Sequence, residues 1–377
     1  MPSCRACPAL NNPNSVSLSD LLHEVPRLWD FMPSRYLNVL LGVNKEIRRQ
    51  AQGMVTCIRT TGAMRPEQVH HLTKGGWSQL RCLDLSNSIM KDAAAAQLSN
   101  GTWPLLQSLT LARGWTFDLL PSCSENVFRQ FKDKWPLLES LAVASHKMDI
   151  AQATALTEID WPLLQTLCMN PFEDAIPALM KGNWPELKDL SIGNGLGDRG
   201  LGYLSNLPWS TLQRLQLKLC QVTPSGIYSL IQAQLPKLQE LSVLWHTEGD
   251  DCFAMLAQAK WPLLSKLELK GVDASHEGIR QLVTGQWPML QTVVFKRFDI
   301  TDEDMPLLVQ ADWPNVQNLT MIGHFEHMEV LAICMRKWPA LQALKLGVGT
   351  DQTHNVAMST IARARWPSLD LQLIPDA

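Results

Sequence analysis

The sequence predicts an α/β solenoid, with curved parallel strands inside, helices outside and a small helical element at the N-terminus. Three observations carry this expectation. A tryptophan recurs at a nearly constant interval, a proline follows it in almost every copy, and the same apolar spacing follows the proline. Self-similarity at about 20–50 residues marks a repeat array, in which one supersecondary unit buries its apolar side against the next.

With the tryptophan slot as position 1, the copies begin at Trp77, Trp103, Trp135, Trp161, Trp184, Trp209, Leu235, Trp261, Trp287, Trp313, Trp338 and Trp366, so that only Leu235 departs. The intervals are 26, 32, 26, 23, 25, 26, 26, 26, 26, 25 and 28 residues. Position 2 is proline except at Ser78 and Ser210. Positions 4, 7 and 9 are apolar, as in Leu106, Leu109 and Leu111 or Leu264, Leu267 and Leu269. That spacing gives a short strand with alternate residues facing inward. Between strands lie about a dozen residues of helical character, such as those from His276, from Asp302 and from His354. Thr301 with Asp302, and Thr223 before Pro224, are helix-start signals. In the last copy Leu369, Leu371 and Leu373 alternate, which suggests a terminal strand closing the array.

Proline disfavours helical geometry in the residue before it and donates no backbone hydrogen bond. The Trp-Pro pair therefore ends a helix and turns the chain toward its strand. An aromatic ladder stacking sugars or bases is the competing reading. Recurrence in every unit at a core-directed slot favours a buried indole.

This pattern resembles the leucine-rich repeat, in its ribonuclease-inhibitor-like or cysteine-containing form, over residues 77 to 374. The family's Asn or Cys after the strand is mostly missing, because position 12 holds residues such as Ser88, His146, Phe172 and His246, and only Cys220 fits. Any ladder bonding the turns must then be supplied otherwise.

The domain organisation expected is a disordered segment at 1–17, a helical region at 18–52, a capping strand and helix at 53–76, and the solenoid at 77–377. Residues 18–52 resemble an F-box, the adaptor-binding motif of cullin-type ubiquitin ligases, through Leu28, Trp29, Phe31, Met32, Pro33, Arg35, Leu37, Leu40, Val43, Lys45 and Arg48. Tyr36 and Ile47 depart from that pattern. The resemblance implies docking on a ligase adaptor through Leu28, Trp29, Phe31, Met32, Pro33, Leu37, Leu40 and Val43. The same helices also suit a plain cap over the first unit, which every repeat array needs.

Positions 6, 8 and 10 point out of the sheet and form the expected partner-binding face. The early face is small and neutral, with Ser108, Thr110, Ala112, Ser140, Ala142, Ala144, Thr166 and Cys168. Farther along come Arg214, Lys218, Leu244, Trp245, Lys266, Lys270, Lys296 and Arg297, with Glu240 and Glu268 interleaved. Cations beside a tryptophan suit an acidic or phosphorylated segment; ordinary mixed surface charge is the alternative. The 32-residue interval carries Trp115 and Phe117, in an insertion that either contacts a partner or folds over the helices.

No catalytic constellation is evident, so an enzyme is not expected. His324 and His327 lack further assigned metal ligands, Cys4 and Cys7 lack a partner pair at zinc-finger spacing, and the G-x-G-x-x-G from Gly195 falls at a repeat turn. No cofactor is expected. The net charge of −3 is spread along the chain, and no long basic run points to nucleic acid. No long apolar span points to a membrane. Nine cysteines without a secretory leader suit free thiols and a cytoplasmic or nuclear chain. The expectation is thus a monomer outside its complex that binds proteins, as a substrate-recognition subunit of a ubiquitin ligase or as a free-standing scaffold or inhibitor.

Overall fold

The structure is a computed structural model that describes residues 55–63, 66–89, 97–111, 128–207, 209–219, 222–244, 250–271, 275–301, 304–308, 310–324, 338–348 and 370–375. The F-box-like region, Trp115, Phe117, Trp245, His327, Cys4 and Cys7 lie outside these residues.

Among the described residues, thirteen strands form one sheet in strict sequence order. They are β1 (Cys57–Ala63), β2 (Cys82–Ile89), β3 (Ser108–Thr110), β4 (Ser140–Met148), β5 (Thr166–Pro171), β6 (Asp189–Leu196), β7 (Arg214–Leu219), β8 (Glu240–Leu244), β9 (Lys266–Lys270), β10 (Thr292–Thr301), β11 (Asn318–His324), β12 (Ala343–Val348) and β13 (Asp370–Pro375). Every neighbouring pair is parallel. Position 7 runs straight across the sheet, since Leu83, Leu109, Leu141, Leu167, Leu190 and Leu215 are successive Cα partners. Leu241, Leu267, Val293, Leu319 and Leu344 continue the row. The repeat register read from the sequence is therefore the strand register. At the end, Leu371 and Leu373 pair with Leu344 and Leu346, one residue out of step with Trp366, as the alternation of leucines there predicts.

The backbone explains position 2. In each described copy the position 1 carbonyl accepts from the position 4 N–H, as in Leu290 N to Trp287 O at 3.0 Å. The pair thus opens a β-turn whose second residue is proline, where its fixed φ fits and its missing donor leaves nothing unpaired. The carbonyl at position 5 accepts two N–H groups from the following copy. Gln239 O takes Ser265 N at 2.8 Å and Lys266 N at 2.9 Å.

Among the described turns after the strands, backbone pairing continues in several copies. The strand ladder breaks at an irregularity and then resumes, pairing Met148 with Pro171, Leu196 with Leu219 and Ile300 with Gly323.

The described helices are shorter than a dozen residues. The described helices are α1 (Pro66–Lys74), α2 (Ile150–Thr157), α3 (Ile176–Leu179), α4 (Asp198–Ser205), α5 (Pro224–Gln232), α6 (Asp250–Leu256), α7 (His276–Leu282) and α8 (Met305–Leu308). A copy of about 26 residues must hold a strand and two connections, which leaves room for about two helical turns. Thr223 caps α5 by accepting from Ser225 N, with Pro224 at the first turn, as its sequence predicts. Thr301 does not start a helix; it ends β10 and pairs with His324, because the resumed ladder captures it.

Helix starts are also tied between copies. Asp198 at the start of α4 accepts from Thr223 N at 2.8 Å and Thr223 Oγ1 at 2.6 Å. Asp250 at the start of α6 accepts from Ser275 N at 3.2 Å. A carboxylate thus satisfies donors left open at the next helix start, where the helix dipole also favours negative charge. A side chain at Gly278 would place Cβ 2.3 Å from Asp250 Oδ1, so a glycine is needed there.

The tryptophans are core. Trp77, Trp103, Trp135, Trp161, Trp261, Trp287, Trp313 and Trp338 are buried with the strand leucines in one continuous cluster. Trp103 stacks on Trp135 at 5.7 Å, and Trp287 on Trp313 at 6.2 Å. Several indoles donate to the backbone just ahead of the preceding tryptophan, including Trp161 to Lys134 O, Trp287 to Ala259 O and Trp313 to Gly285 O. Only Trp184 and Trp209 among the described tryptophans of the slot are half-buried. Trp184 follows the shortest copy, which contains only a short 3-10 turn (Glu173–Ala175) and the four-residue α3.

Candidate functional site

Alternation along each strand sends positions 7 and 9 into the core and positions 6, 8 and 10 onto the open face. Burial follows that rule in β5, β8 and β9, where half-buried and buried residues alternate. The early face is small and neutral as the sequence predicts; Ser108, Thr110, Ser140, Ala142, Thr166 and Cys168 are all half-buried on it, whereas the side chains of Ala112 and Ala144 lie outside the description.

The middle of the face is a concavity of about 360 Å³ over β5 to β9. Its floor combines Thr166, Asp189, Arg214, Glu240 and Lys266 from position 6 with Cys168, Ser191, Gln216, Ser242 and Glu268 from position 8. Along position 6 the charges alternate in sign. Arg214 grips Asp189 through both Nε and Nη2. Lys266 Nζ lies 3.8 Å from Glu240 and 3.7 Å from Glu268. Lys270 Nζ is 2.8 Å from Glu268, which also accepts from Ser242 Oγ at 3.2 Å.

Three of the cations proposed for a basic patch are thus already matched by carboxylates. Arg214, Lys266 and Lys270 form a charge-compensated network rather than a bare positive surface. The exposed Lys218 and the half-buried Lys296 have no ion pair among the described residues. Both sit at position 10, in a row where Lys218 pairs with Leu244, Leu244 with Lys270 and Lys270 with Lys296. Arg297 lies on β10 next to this row, with its side chain outside the description.

Glu268 is the hub of the network. Burial pushes its carboxyl up, but the Lys270 hydrogen bond and charge, the Lys266 charge and the Ser242 hydroxyl together hold it below its ordinary value. A carboxylate depressed in the folded state stabilises the fold above its unfolded pKa of about 4.3, and loses that contribution as pH falls through the folded value. A Glu268→Gln variant should therefore be less stable than the parent by a constant margin above about pH 5. The margin should shrink below about pH 4. Denaturant midpoints across pH measure this, and a margin that persists at low pH would show that Glu268 acts by shape alone.

The glycine-rich stretch at Gly195 serves the repeat turn. Gly197 caps α4, and the Gly200 N–H is taken by Glu173 Oε1 at 3.2 Å, so that donor is already used. Among the described residues no three His, Cys, Asp or Glu side chains gather at metal-binding distance, and no helix is long and apolar enough to cross a membrane.

Two signals in the sequence point to features that the apolar pattern alone does not reveal. Position 5 is glutamine in Gln107, Gln165, Gln213, Gln239, Gln291, Gln317 and Gln342. This row borders the open face, and Gln107 Nε2 donates to Glu139 at 3.1 Å. Asp198 with Thr223 and Asp250 with Ser275 repeat at the same 25-residue offset, which is the sequence trace of the helix-start bonds.

No family model matches the chain, and no curated protein matches it. Among solved structures it is similar to the yeast Rad7 and Elc1 complex, at 16% identity and a TM-score of 0.49, over 94% of this chain and 88% of that one. It is also similar to a Bacteroides fragilis protein, at 14% identity and a TM-score of 0.39, over 56% of this chain and 66% of that one. A third is the leucine-rich repeat-containing protein LegL7 from Legionella pneumophila, at 12% identity and a TM-score of 0.37, over 65% and 93% of the two chains. The fold rests on the chain's own register and not on these likenesses: it is a parallel α/β solenoid of the leucine-rich-repeat kind.

Proposed function

We propose that the chain is a protein-recognition scaffold, and that it serves as the target-binding subunit of a cullin-type ubiquitin ligase. In this reading Leu28, Trp29, Phe31, Met32, Pro33, Leu37, Leu40 and Val43 dock on the ligase adaptor, and the open face holds the target. Catalysis belongs to other subunits, and the chain is a monomer in the cytoplasm or nucleus until it joins them. Multipoint binding keeps the target close to the conjugating chemistry at high effective concentration.

The observation that supports a recognition role is the division of labour along each strand. Positions 7 and 9 are consumed by the core, while positions 6, 8 and 10 vary in charge and size across a continuous open sheet. The partner class that suits Lys218 and Lys296 is an acidic or phosphorylated protein segment. The ligase connection is supported by the order of residues from Leu28 to Arg48 ahead of the repeats.

The full-length chain captured on purified adaptor tests the connection. Wild type should be retained, and a Leu37→Asp, Leu40→Asp double variant with unchanged helical signal should be lost. A wild-type chain that the adaptor fails to retain rules out the ligase role and leaves the free-standing scaffold or inhibitor.

A further inference from the structure

Strands β1 and β2 put Cys57 and Cys82 directly opposite each other as Cα partners. Neither is in a disulfide, and both are half-buried. They occupy adjacent rungs of the position 6 row on the open face. Neighbouring strands lie about 4.8 Å apart. Disulfides join Cα atoms about 4.4–6.8 Å apart, so this pairing lies inside the bonding range.

The surroundings of Cys82 favour its thiolate. The Cys57 thiol donates to the Cys82 sulfur, the Ser108 hydroxyl on β3 donates as well, and the Arg59 guanidinium adds positive charge; burial and Asp84 oppose them. The balance lowers Cys82 to about 7. Two other described cysteines provide contrasts. Cys252 on α6 is buried, and burial with Asp198 and Asp251 pushes it up to about 11. Cys168 faces Ala142 and Ser191 across its neighbouring strands, so it has no thiol opposite it.

We propose that Cys57 and Cys82 form a reactive dithiol, which small disulfides such as glutathione disulfide oxidise to a cross-strand disulfide. The Cys82 thiolate attacks one sulfur of the small disulfide. That S–S bond breaks, a mixed disulfide forms on Cys82, and one small thiolate leaves and takes up a proton. Cys57 then gives up its proton and attacks the Cys82 sulfur, which forms the Cys57–Cys82 bond and expels the second small thiol. The protein loses two electrons, and the small disulfide is reduced to two thiols. The product staples the first described strand to the array, beside the Arg59–Asp84 ion pair that links the same strands at 3.2 Å. A dithiol at that end makes β1 the point where redox state bears on the open face. This inference does not depend on the ligase reading.

The test uses the reduced full-length chain, treated with glutathione disulfide at pH 7 and mapped by peptide mass spectrometry. A Cys57–Cys82 linked peptide is expected. Cys57→Ser should stop at a glutathionyl adduct on Cys82, and Cys82→Ser should leave Cys57 unmodified over the same time. In the untreated wild type, iodoacetamide should label Cys82 at least about tenfold faster than Cys252, since the gain in thiolate outweighs the loss of intrinsic nucleophilicity. Oxidised wild type without the linked peptide, or Cys82 labelled no faster than Cys252, overturns the proposal whether or not the variants fold.

Discussion

Replacing Trp287 by alanine is expected to destabilise the protein by roughly 3–5 kcal/mol, the usual range for deleting a large buried aromatic. The indole is fully buried. It stacks on Trp313 at 6.2 Å with planes 24° apart. It donates to Ala259 O at 3.3 Å, just ahead of the preceding slot at Trp261. It also lies flat over Gly285, where an added Cβ would sit 2.5 Å from the ring. Removing it opens a cavity between two copies and frees a backbone carbonyl, and a wall built from helix ends and strands cannot collapse into the space. Trp184→Ala should cost clearly less. That indole is only half-buried, and its Nε1 finds no partner among the described residues. Urea titrations followed by far-ultraviolet circular dichroism compare the two. If Trp287→Ala unfolds within about 1 kcal/mol of the parent, the tryptophan slot is not what holds neighbouring copies together.

Loss at one slot should spread, because each copy in a solenoid contacts only its neighbours. Trp287→Ala weakens the interface between the copies that begin at Trp261, Trp287 and Trp313. The flanking interfaces then depend on their own stacking, such as Trp103 on Trp135. The expected transition is broadened as well as shifted.

The fold was legible because the core uses the same slots in every copy. Position 7 of the sequence pattern is position 7 of the sheet, pair by pair, and no tertiary choice intervenes. Helix length was less legible. Apolar periodicity ran on into residues such as Val283, which is buried but follows the end of α7. Periodicity reports burial, whereas the helix end depends on the turn that the Trp-Pro pair must reach. Thr301 misled for a related reason, since capping chemistry is local and the ladder that claims Thr301 pairs it with His324 in the next copy. The candidate face was half legible. The sequence places Arg214, Lys266 and Lys270 on one surface, but their partners Asp189, Glu240 and Glu268 lie on the same or neighbouring strands. Only the strand register brings the signs together, and the patch becomes a network.

That pairing decides where an acidic ligand has charge to meet. Reversing Lys218 and Lys296 together, as Lys218→Glu and Lys296→Glu, is expected to weaken binding of a doubly anionic segment by about a hundredfold or more. Each cation offers a charge-assisted bond of about 1.5–3 kcal/mol, and about 1.4 kcal/mol is a factor of ten. Reversing Lys270 is a poorer probe, because it would set a second carboxylate against Glu268 and disturb the hub. The two lysines sit three strand spacings apart, about 14 Å at about 4.8 Å each. An extended peptide rises about 3.3 Å per residue, so anionic groups about four residues apart would reach both lysines. Its middle would pass over Leu244 and the Lys270 ammonium, which suits an apolar side chain between the two charges. Short peptides carrying two phosphoserines at separations from one to six residues test this by fluorescence anisotropy. Affinity should peak near a separation of four, fall with added salt and drop in the charge-reversed variant. Equal affinity for the parent and the reversed variant would place the target elsewhere on the molecule.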